Sequence, residues 1–404
     1  MKLKMLDIYL LKTSLKWLQS LFLIKMNNLE FIIIIVSFIL YLIPTIVASL
    51  NLVFFNSNNY NSISKQKNKV SVLIPVRNEE KNIEKCVNSV IMQGEIVGEI
   101  LIYNDHSTDK TETIIKSLIK KYKNLVKKTE TKDLPKGWLG KNYACYRLAI
   151  SSKSENILFI DADTTLRKNA ISNLFMIYSE SDNSMISAWP KIVMKNKIEK
   201  LLMPILNLIV FTIFPYIIST KINIPSLGIA HGACIFFNKK KYLKLGGHKL
   251  VKNNFFEDTS LAKIWRTFGE KSKIINGENI IEVRMYKSFR EITEGFTKNF
   301  YPALGNIIRF LVFQIYFLFS YILFPILMLV FIFQSRINIL FFIIIFISLA
   351  PRIMINIKFR YGITSLVLNP VSIIIMLYIG FRSYYHSSIK KNITWKKRKY
   401  NFEK

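Results

Sequence analysis

The sequence predicts an α/β domain with a mainly parallel sheet, placed between transmembrane helices on its N-terminal and C-terminal sides. Short apolar runs alternate with amphipathic stretches between Val70 and about Ile307, a pattern typical of crossover units that feed a parallel sheet. The chain of 404 residues is also 51% hydrophobic with a mean hydropathy of +0.26, which is too apolar for an ordinary soluble enzyme. We therefore expect a multi-pass protein of the cell membrane.

Residues 1–69 are predicted to attach the chain to the membrane. Residues 1–30 mix large apolar side chains with spaced lysines, as in amphipathic segments that lie in the lipid headgroup region. Residues 31–55 are almost continuously apolar and have no small-residue cleavage site, so we expect a retained transmembrane anchor. Residues 56–69 are polar and rich in Ser and Asn, which predicts a linker.

Residues 70–307 are predicted to form the α/β domain. Apolar runs of strand length are followed by stretches with helical periodicity. The predicted strands are 70–76, 99–103 and 157–160, and the predicted helices are 79–92 and 111–122.

Residues 308–382 are predicted to be a C-terminal transmembrane region, followed by a basic tail at 383–404. The region contains three apolar stretches, 310–333, 339–350 and 363–381. If all three crossed, the tail and the α/β domain would lie on opposite sides of the membrane, although positive charge favours the cytoplasmic side for both. We therefore expect one of the three to be re-entrant or interfacial.

The net charge of +31 could indicate binding either to nucleic acid or to the negatively charged membrane surface. The aromatic residues lie mostly in apolar stretches, and the basic tail directly follows a membrane segment. Juxtamembrane lysines and arginines attract anionic lipid by about 1 kcal/mol each. We therefore expect the membrane surface as the partner of this charge, and no nucleic acid.

Polar side chains follow three of the predicted strands. Asn78 and Asp105 come after the first two strands, and Asp161 and Asp163 follow the strand at 157–160. Because the carboxyl ends of parallel strands meet at one edge of a sheet, these side chains should converge on one crevice. Two carboxylates one residue apart suit a hard divalent cation that can hold a diphosphate, although an isolated Asp-x-Asp is also common in solvated turns.

Four motifs in a fixed order carry a family resemblance: Pro-Val-Arg-Asn-Glu-Glu at 75–80, Asn-Asp-His-Ser-Thr-Asp at 104–109, Asp-Ala-Asp at 161–163 and Glu-Asp at 257–258. Together they resemble the inverting family 2 glycosyltransferases, which implies the Rossmann-like fold called GT-A. The loop at 135–141, Pro-Lys-Gly-Trp-Leu-Gly-Lys, and the tail at 395–400, Trp-Lys-Lys-Arg-Lys-Tyr, are similar to a membrane-bound branch. That branch includes hydroxychlorobactene and diaponeurosporenoate glucosyltransferases and the hopanoid-associated glycosyltransferases.

The resemblance implies a nucleotide-sugar site, with a UDP-sugar as the expected donor. Asp105 is expected to accept hydrogen bonds from the base or ribose; the alternative is a helix N-cap, for which Ser107 or Asp109 is the better candidate. Pro75, Arg77 and Glu79 are expected to line the same pocket.

The diphosphate is expected at the Asp-Ala-Asp motif. Asp163 is the candidate ligand of Mg²⁺ or Mn²⁺, and Asp161 is expected to contact the ribose or to complete the metal's ligands. Lys141 either balances phosphate charge or is simply a solvated lysine.

Asp258 is the candidate general base. Inversion requires the acceptor to attack from the face opposite the diphosphate, where a carboxylate can take the proton of an acceptor hydroxyl. Partial burial beside Phe255 and Phe256 would raise the pKa of Asp258 and make it a better base. The alternative is that Asp258 caps the helix that follows.

The apolar run at 201–220 lies between these candidate residues in the sequence and is interrupted by Pro204, Asn207 and Pro215. A crossing here would put Asp163 and Asp258 on opposite sides of the bilayer. We therefore expect a membrane-surface insertion, with a plain transmembrane helix as the alternative.

Three functions remain compatible with the sequence. The first is a hexosyltransferase that adds one sugar to a hydroxyl or carboxyl of a carotenoid, hopanoid or similar membrane lipid. Segment 284–290 lacks the Gln-x-x-Arg-Trp motif of processive synthases, which implies a single transfer. The second is a polyprenyl-phosphate sugar synthase, and the third is an inactive membrane scaffold. For either enzyme the catalytic domain is expected on the cytoplasmic side, where nucleotide sugars are made.

Overall fold

The computed structural model describes residues 28–56, 69–333, 339–396 and 398–401. The predicted interfacial segment at 1–30 and the linker at 56–69 fall almost wholly outside these residues. The chain forms two compact units. The first comprises Met1–Leu52, Lys200–Phe214 and Ile307–Tyr378, and the second comprises Val53–Glu199, Pro215–Asn306 and Ile379–Lys404.

The second unit contains an eight-stranded sheet with the order β3-β2-β1-β4-β7-β6-β8-β5. The strands are β1 (Val70–Val76), β2 (Val97–Asn104), β3 (Val126–Lys128), β4 (Asn156–Ile160), β5 (Thr164–Leu166), β6 (Met185–Ile192), β7 (Cys234–Asn238) and β8 (Ser272–Val283). Strands β3, β2, β1 and β4 run parallel to one another, as do β6 and β8. Strand β7 is antiparallel to β4 and β6, and β5 is antiparallel to β8. The predicted mainly parallel α/β fold is confirmed.

Apolar side chains cover both faces of this sheet. Successive side chains of a strand point to opposite faces, and β1 accordingly places Val72 and Ile74 in one core cluster and Leu73 in the other. Helices Ile83–Ile91, Thr111–Lys121 and Ala170–Ser179 contribute to the first cluster, and helices Gly140–Ser151 and Glu257–Thr267 to the second. Coverage of both faces explains why the central strands are continuous apolar runs.

The second unit also contains helices Tyr216–Lys221, Lys239–Leu245 and Phe289–Leu304. Near its C-terminus, strands β9 (Asn392–Trp395) and β10 (Arg398–Asn401) pair as an antiparallel hairpin. The predicted helix at 79–92 begins later, at Ile83, because Glu79 O accepts hydrogen bonds from Asn82 N and Ile83 N in a turn.

The first unit consists of apolar helices. Three helices of the described chain are long and apolar enough to cross a membrane, namely Ile32–Phe54, Ile307–Phe333 and Leu340–Lys358. The last of these starts in the predicted stretch 339–350 and continues beyond it. The predicted stretch 363–381 instead forms two helices, Ile363–Val367 and Asn369–Tyr384.

The apolar run at 201–220 forms parts of three short helices, Lys197–Leu202, Pro204–Ile213 and Tyr216–Lys221. Its Lys200–Phe214 portion belongs to the first unit. There the Asn51 amide donates hydrogen bonds to Phe211 O at 2.8 Å and Phe214 O at 2.6 Å. Its location on the membrane surface stays a prediction.

A buried ion pair joins two segments of the second unit that are far apart in the sequence. The Glu199 side chain is fully buried, and it accepts hydrogen bonds from Arg284 Nη2 at 2.6 Å and Lys195 N at 2.7 Å. Arg290 and Glu294 form a comparable pair on an exposed helix surface, at 2.8 Å. Removing one member of a buried pair leaves an uncompensated charge, whereas an exposed charge remains hydrated.

We therefore predict that Glu199→Gln destabilises the protein by about 2–3 kcal/mol. The melting temperature of the full chain of 404 residues in detergent should fall by roughly 2–4 °C, while Glu294→Gln, the matched control, should leave it unchanged. Equal melting temperatures for the two variants would contradict the importance of the Glu199–Arg284 pair.

Candidate active site

The predicted site residues lie where three parallel strands end. Strand β1 pairs with β2 on one side and β4 on the other, so the loops after these strands share one edge of the sheet. Asn78 and His106, in the loops after β1 and β2, both have a φ of 52°, in the left-handed region. Asn78 Oδ1 accepts a hydrogen bond from Thr108 N at 2.8 Å, which ties the two loops together.

Asp105 follows β2 and is held by two arginines. Arg398 forms a two-point contact with its carboxylate, at 2.7 and 3.0 Å. Arg77 donates to the main-chain oxygen of Asp105 at 2.6 Å. The cap position of helix Thr111–Lys121 is Lys110 and not Asp105, and Asp109 Oδ1 accepts a hydrogen bond from Thr111 N at 3.0 Å just before the helix.

The other residues expected in the nucleotide pocket lie near Asp105. Pro75 lies in β1 and pairs with Tyr103 of β2. Glu79 follows β1, is buried, and forms an ion pair with Lys396. The structure thus brings together the four residues predicted for the nucleotide, and adds two cations from the C-terminal hairpin.

Asp161 and Asp163 follow β4 and are surrounded by charges. Burial raises the pKa of Asp163 to about 7, and the negative charges of Glu79 and Asp161 act in the same direction. The charges of Lys396 and Lys141 act against this rise. A carboxyl with such a pKa favours a nearby cation, because a cation would relieve the repulsion.

Lys141 links two carboxylates from different parts of the domain. Its Nζ lies 2.8 Å from Asp161 Oδ1 and 2.9 Å from Glu257 Oε1. Burial alone would lower the pKa of Lys141, but the two carboxylates raise it well above its ordinary value. Lys141 therefore carries its charge between two carboxylates, and its role in balancing phosphate charge stays a prediction.

Three of these side chains meet beside Gly232. A methyl group at this position would lie 2.9 Å from Lys141 Nζ, 3.3 Å from Asp258 Oδ2 and 3.6 Å from Asp161 Oδ2. Gly232 N also donates a hydrogen bond to Asp258 Oδ2 at 2.7 Å. The absence of a side chain at Gly232 leaves room for this cluster of charged side chains close to the backbone.

Asp258 lies in the first turn of helix Glu257–Thr267. Its Oδ1 accepts a hydrogen bond from Thr259 N at 2.7 Å. Burial raises the pKa of Asp258 to about 7, and the charge of Glu257 adds to the rise. Burial was expected from the sequence, but the contribution of Glu257 was not.

Sequence reasoning missed several other residues of the site. Glu257 was assigned no role, although it pairs with Lys141. Lys298 lies with its Nζ 3.8 Å from the ring centre of Trp395, and burial lowers its pKa to about 8. Tyr286 is near enough for the charges of Asp163 and Lys141 to act on its hydroxyl. No local pattern marks Lys298 and Tyr286, because their partners are distant in the sequence, whereas Glu257 lies in the Glu-Asp motif at 257–258, of which only Asp258 was given a role.

The basic tail is the clearest difference from the sequence-based expectation. Its positive charge was assigned to the membrane surface as a whole. Lys396 and Arg398 instead pair with Glu79 and Asp105 of the same unit. His248 is buried and its Nδ1 lies 2.6 Å from the Tyr242 hydroxyl, which indicates a structural role.

Comparison with known proteins identifies the domain that carries most of this site. Residues 71–246 match the sequence model of the family described as Glycosyl transferase family 2. This region is a family 2 glycosyltransferase domain. The predicted family resemblance is thereby confirmed.

Two curated relatives are similar in sequence to more than half of the chain. The chain is 27% identical over 242 residues to a 4,4'-diaponeurosporenoate glycosyltransferase of Staphylococcus aureus strain USA300, covering 59% of this chain and 62% of the relative. The enzyme of the same name from strain MRSA252 is also 27% identical over 242 residues. The chain thus spans less than two thirds of the length of these relatives.

A solved structure supports the fold. A mannosyltransferase from Pyrobaculum calidifontis, in complex with GDP-Man and Mn²⁺, aligns with a TM-score of 0.53 and 12% identity. The alignment covers 89% of this chain and 99% of that chain. The predicted fold class is confirmed by this likeness, which at such low identity concerns the fold alone.

The contact distances at Gly232 lead to a prediction for the family 2 domain. Gly232→Ala should fold, because the Lys141 ammonium is the end of a flexible side chain and can move away from the new methyl group. The displaced ammonium would lose its contacts with Asp161 and Glu257. We expect sugar transfer to fall roughly tenfold to 10²-fold, with little change in melting temperature.

Gly362→Ala is the matched control, because no atom lies within 4 Å of the new methyl group. Transfer of labelled sugar would be measured for both variants. Full activity of Gly232→Ala would show that the position of Lys141 is not important.

Proposed function

We propose that the chain transfers a single sugar, with inversion, from a nucleotide-diphosphate sugar to a lipid acceptor in the membrane. The observation that carries the proposal is the meeting of Asp258, Lys141 and Asp161 beside Gly232. An inverting transfer needs a base for the acceptor and positive charge near the leaving diphosphate. The cluster contains one group of each kind, which argues against the inactive-scaffold alternative.

The nucleotide is assigned to the loops after β1 and β2. Asp105 is the acceptor for the base or ribose, and Arg77 supports it from the same edge of the sheet. Pro75 and Glu79 complete the expected pocket. We expect a UDP-sugar as donor, and a GDP-sugar is the first alternative to test, since the mannosyltransferase of the same fold was solved with GDP-Man.

The carboxylates after β4 fit a divalent cation. Asp161 and Asp163 supply oxygen ligands, which Mg²⁺ and Mn²⁺ prefer. No group of three or more His, Cys, Asp or Glu side chains in the described residues is arranged to hold a metal by itself. This fits Mg²⁺ in particular, since Mg²⁺ commonly takes one or two carboxylates and completes its ligands with substrate phosphates and water. Bound there, the cation would neutralise charge on the leaving diphosphate.

Asp258 is assigned the proton transfer. The acceptor oxygen forms a bond to the anomeric carbon while the bond from that carbon to the diphosphate breaks. The hydroxyl proton passes to the Asp258 carboxylate, and the nucleoside diphosphate leaves from the opposite face. A pKa near 7 makes this carboxylate a stronger base than an ordinary aspartate.

The acceptor is assigned to the membrane. The three apolar helices of the first unit support attachment to a bilayer, and the curated relatives are named for a carotenoid acid, diaponeurosporenoate. A carotenoid, hopanoid or similar lipid is the proposed acceptor. We propose a multi-pass protein of the cell membrane with the catalytic domain on the cytoplasmic side, where nucleotide sugars are made.

The metal assignment predicts the behaviour of Asp163→Asn. This variant keeps the side-chain shape but removes the charge, so Mg²⁺ or Mn²⁺ should no longer strengthen nucleotide binding. We expect UDP binding in the presence of metal to weaken roughly tenfold or more, as measured by equilibrium dialysis. Asp182→Asn is the control, because that side chain is exposed. Binding that is independent of metal in the wild type and unchanged in the variant would refute the assignment.

The base assignment predicts the behaviour of Asp258→Asn. With a hydroxyl acceptor, loss of the base should lower the rate about 10²-fold to 10⁴-fold, with nucleotide binding nearly unchanged. Because only the ionised carboxylate accepts a proton, the wild-type rate should rise as pH increases through about 7, and the variant should lose this rise.

Asp182→Asn, which makes the same substitution at an exposed position, again serves as the control. Near-normal turnover by Asp258→Asn would point to an acceptor that is already ionised, either a carboxylate or the phosphate of a polyprenyl phosphate. It would also remove Asp258 from the role of base.

A further inference from the structure

The C-terminal hairpin β9–β10 contacts the residues assigned to the nucleotide. Lys396, in the turn of the hairpin, forms an ion pair with Glu79. Arg398, at the start of β10, forms the two-point contact with Asp105. Arg77 donates a hydrogen bond to the main-chain oxygen of Lys396 at 3.3 Å. The hairpin therefore presents two cations to the ends of β1 and β2.

Contacts on both sides of the turn hold the hairpin in place. On the β9 side, the Trp395 ring lies 3.8 Å from Lys298 Nζ and makes an edge contact with Tyr286 at 6.3 Å. On the β10 side, Tyr400 packs edge-on against Phe255 at 5.3 Å. The position of the turn thus does not depend on the Lys396–Glu79 pair alone.

Lys396 also influences the Asp-Ala-Asp motif. Its charge acts on Asp163, the residue assigned to the metal and the diphosphate. Lys396 thus pairs directly with a carboxylate of the nucleotide pocket, and its charge also acts on the neighbouring Asp163. A diphosphate offers more negative charge and more acceptor oxygens than a single carboxylate, so it is a stronger partner for an ammonium group.

We infer that the β9–β10 hairpin is a donor-binding element, in which Lys396 binds the diphosphate of the nucleotide sugar. Arg398 is a positioning residue that holds the Asp105 carboxylate at the nucleoside end. The inference rests on the proposed function, because it requires a nucleoside-diphosphate donor. It extends the donor site to residues about 150 positions beyond the family match, which ends at residue 246.

Nucleotide binding to the full-length protein in detergent with Mg²⁺ tests this inference. The probe is whichever of UDP and GDP the wild type binds more tightly, measured by equilibrium dialysis. Lys396→Gln should weaken binding of the diphosphate roughly tenfold to 10²-fold. Binding of the corresponding monophosphate should weaken less, because it lacks the second phosphate. Lys396→Arg keeps the charge and should retain most of the affinity.

Lys399→Gln is the matched control, since Lys399 lies on the same hairpin and is exposed. It removes the same charge from the chain and should leave binding unchanged. A general effect of net charge would instead weaken binding equally in Lys396→Gln and Lys399→Gln, which would overturn the inference.

Two other outcomes would also overturn it. Tighter diphosphate binding by Lys396→Gln would show that the hairpin competes with the donor, and unchanged binding would show that it does not contact the donor. In both cases the wild type binds nucleotide and the proposed function stands. Failure of the wild type to bind either UDP or GDP would refute the proposed donor and this inference together.

Discussion

The site depends on the compensation of negative charge at the carboxyl ends of strands β1, β2 and β4. Two like charges about 4 Å apart repel by about 4 kcal/mol at the effective dielectric constant of a protein surface. Lys141 compensates Asp161 and Glu257, and Lys396 compensates Glu79. The compensation is uneven, because the pKa values of the Asp163 and Asp258 carboxyls are raised to about 7 by burial and by neighbouring carboxylates. These two are the groups assigned to cation binding and to proton transfer, for which such perturbation is useful.

The antiparallel strand β7 brings the segment that contains Gly232 beside the segment that contains Asp161. Cys234, its first residue, pairs with Ile160, the last residue of β4. Antiparallel pairing therefore puts the segment that precedes β7 beside the segment that follows β4. Asp161 N donates a hydrogen bond to Ala233 O at 3.4 Å, and Gly232 comes next to the Asp161 carboxylate. A wholly parallel sheet would have placed the start of this strand at the opposite edge.

The parts of the fold that sequence reasoning predicted are those with a local signal. Strands β1, β2 and β4 are apolar runs followed by polar residues, so both their existence and the grouping of Asp105 with Asp161 follow from the chain itself. The antiparallel placement of β7 has no such signal, because strand direction depends on the connection and not on composition. The pairing of the hairpin with Glu79 and Asp105 joins residues 317 and 293 positions apart, and a run of basic residues does not reveal a partner at that distance.

The environment of Asp258 bears on which acceptor the site suits. Burial and the charge of Glu257 favour the neutral carboxyl, whereas hydrogen bonds from Gly232 N and Thr259 N favour the ionised form. An acceptor that is already ionised would gain nothing from these two donors, because a negative Asp258 would repel it. A hydroxyl acceptor needs Asp258 in its ionised form. A pKa near 7 keeps a substantial fraction of Asp258 ionised at neutral pH, and the carboxylate is still basic enough to take a proton. The two backbone donors therefore fit the proton transfer from a hydroxyl that is proposed for Asp258.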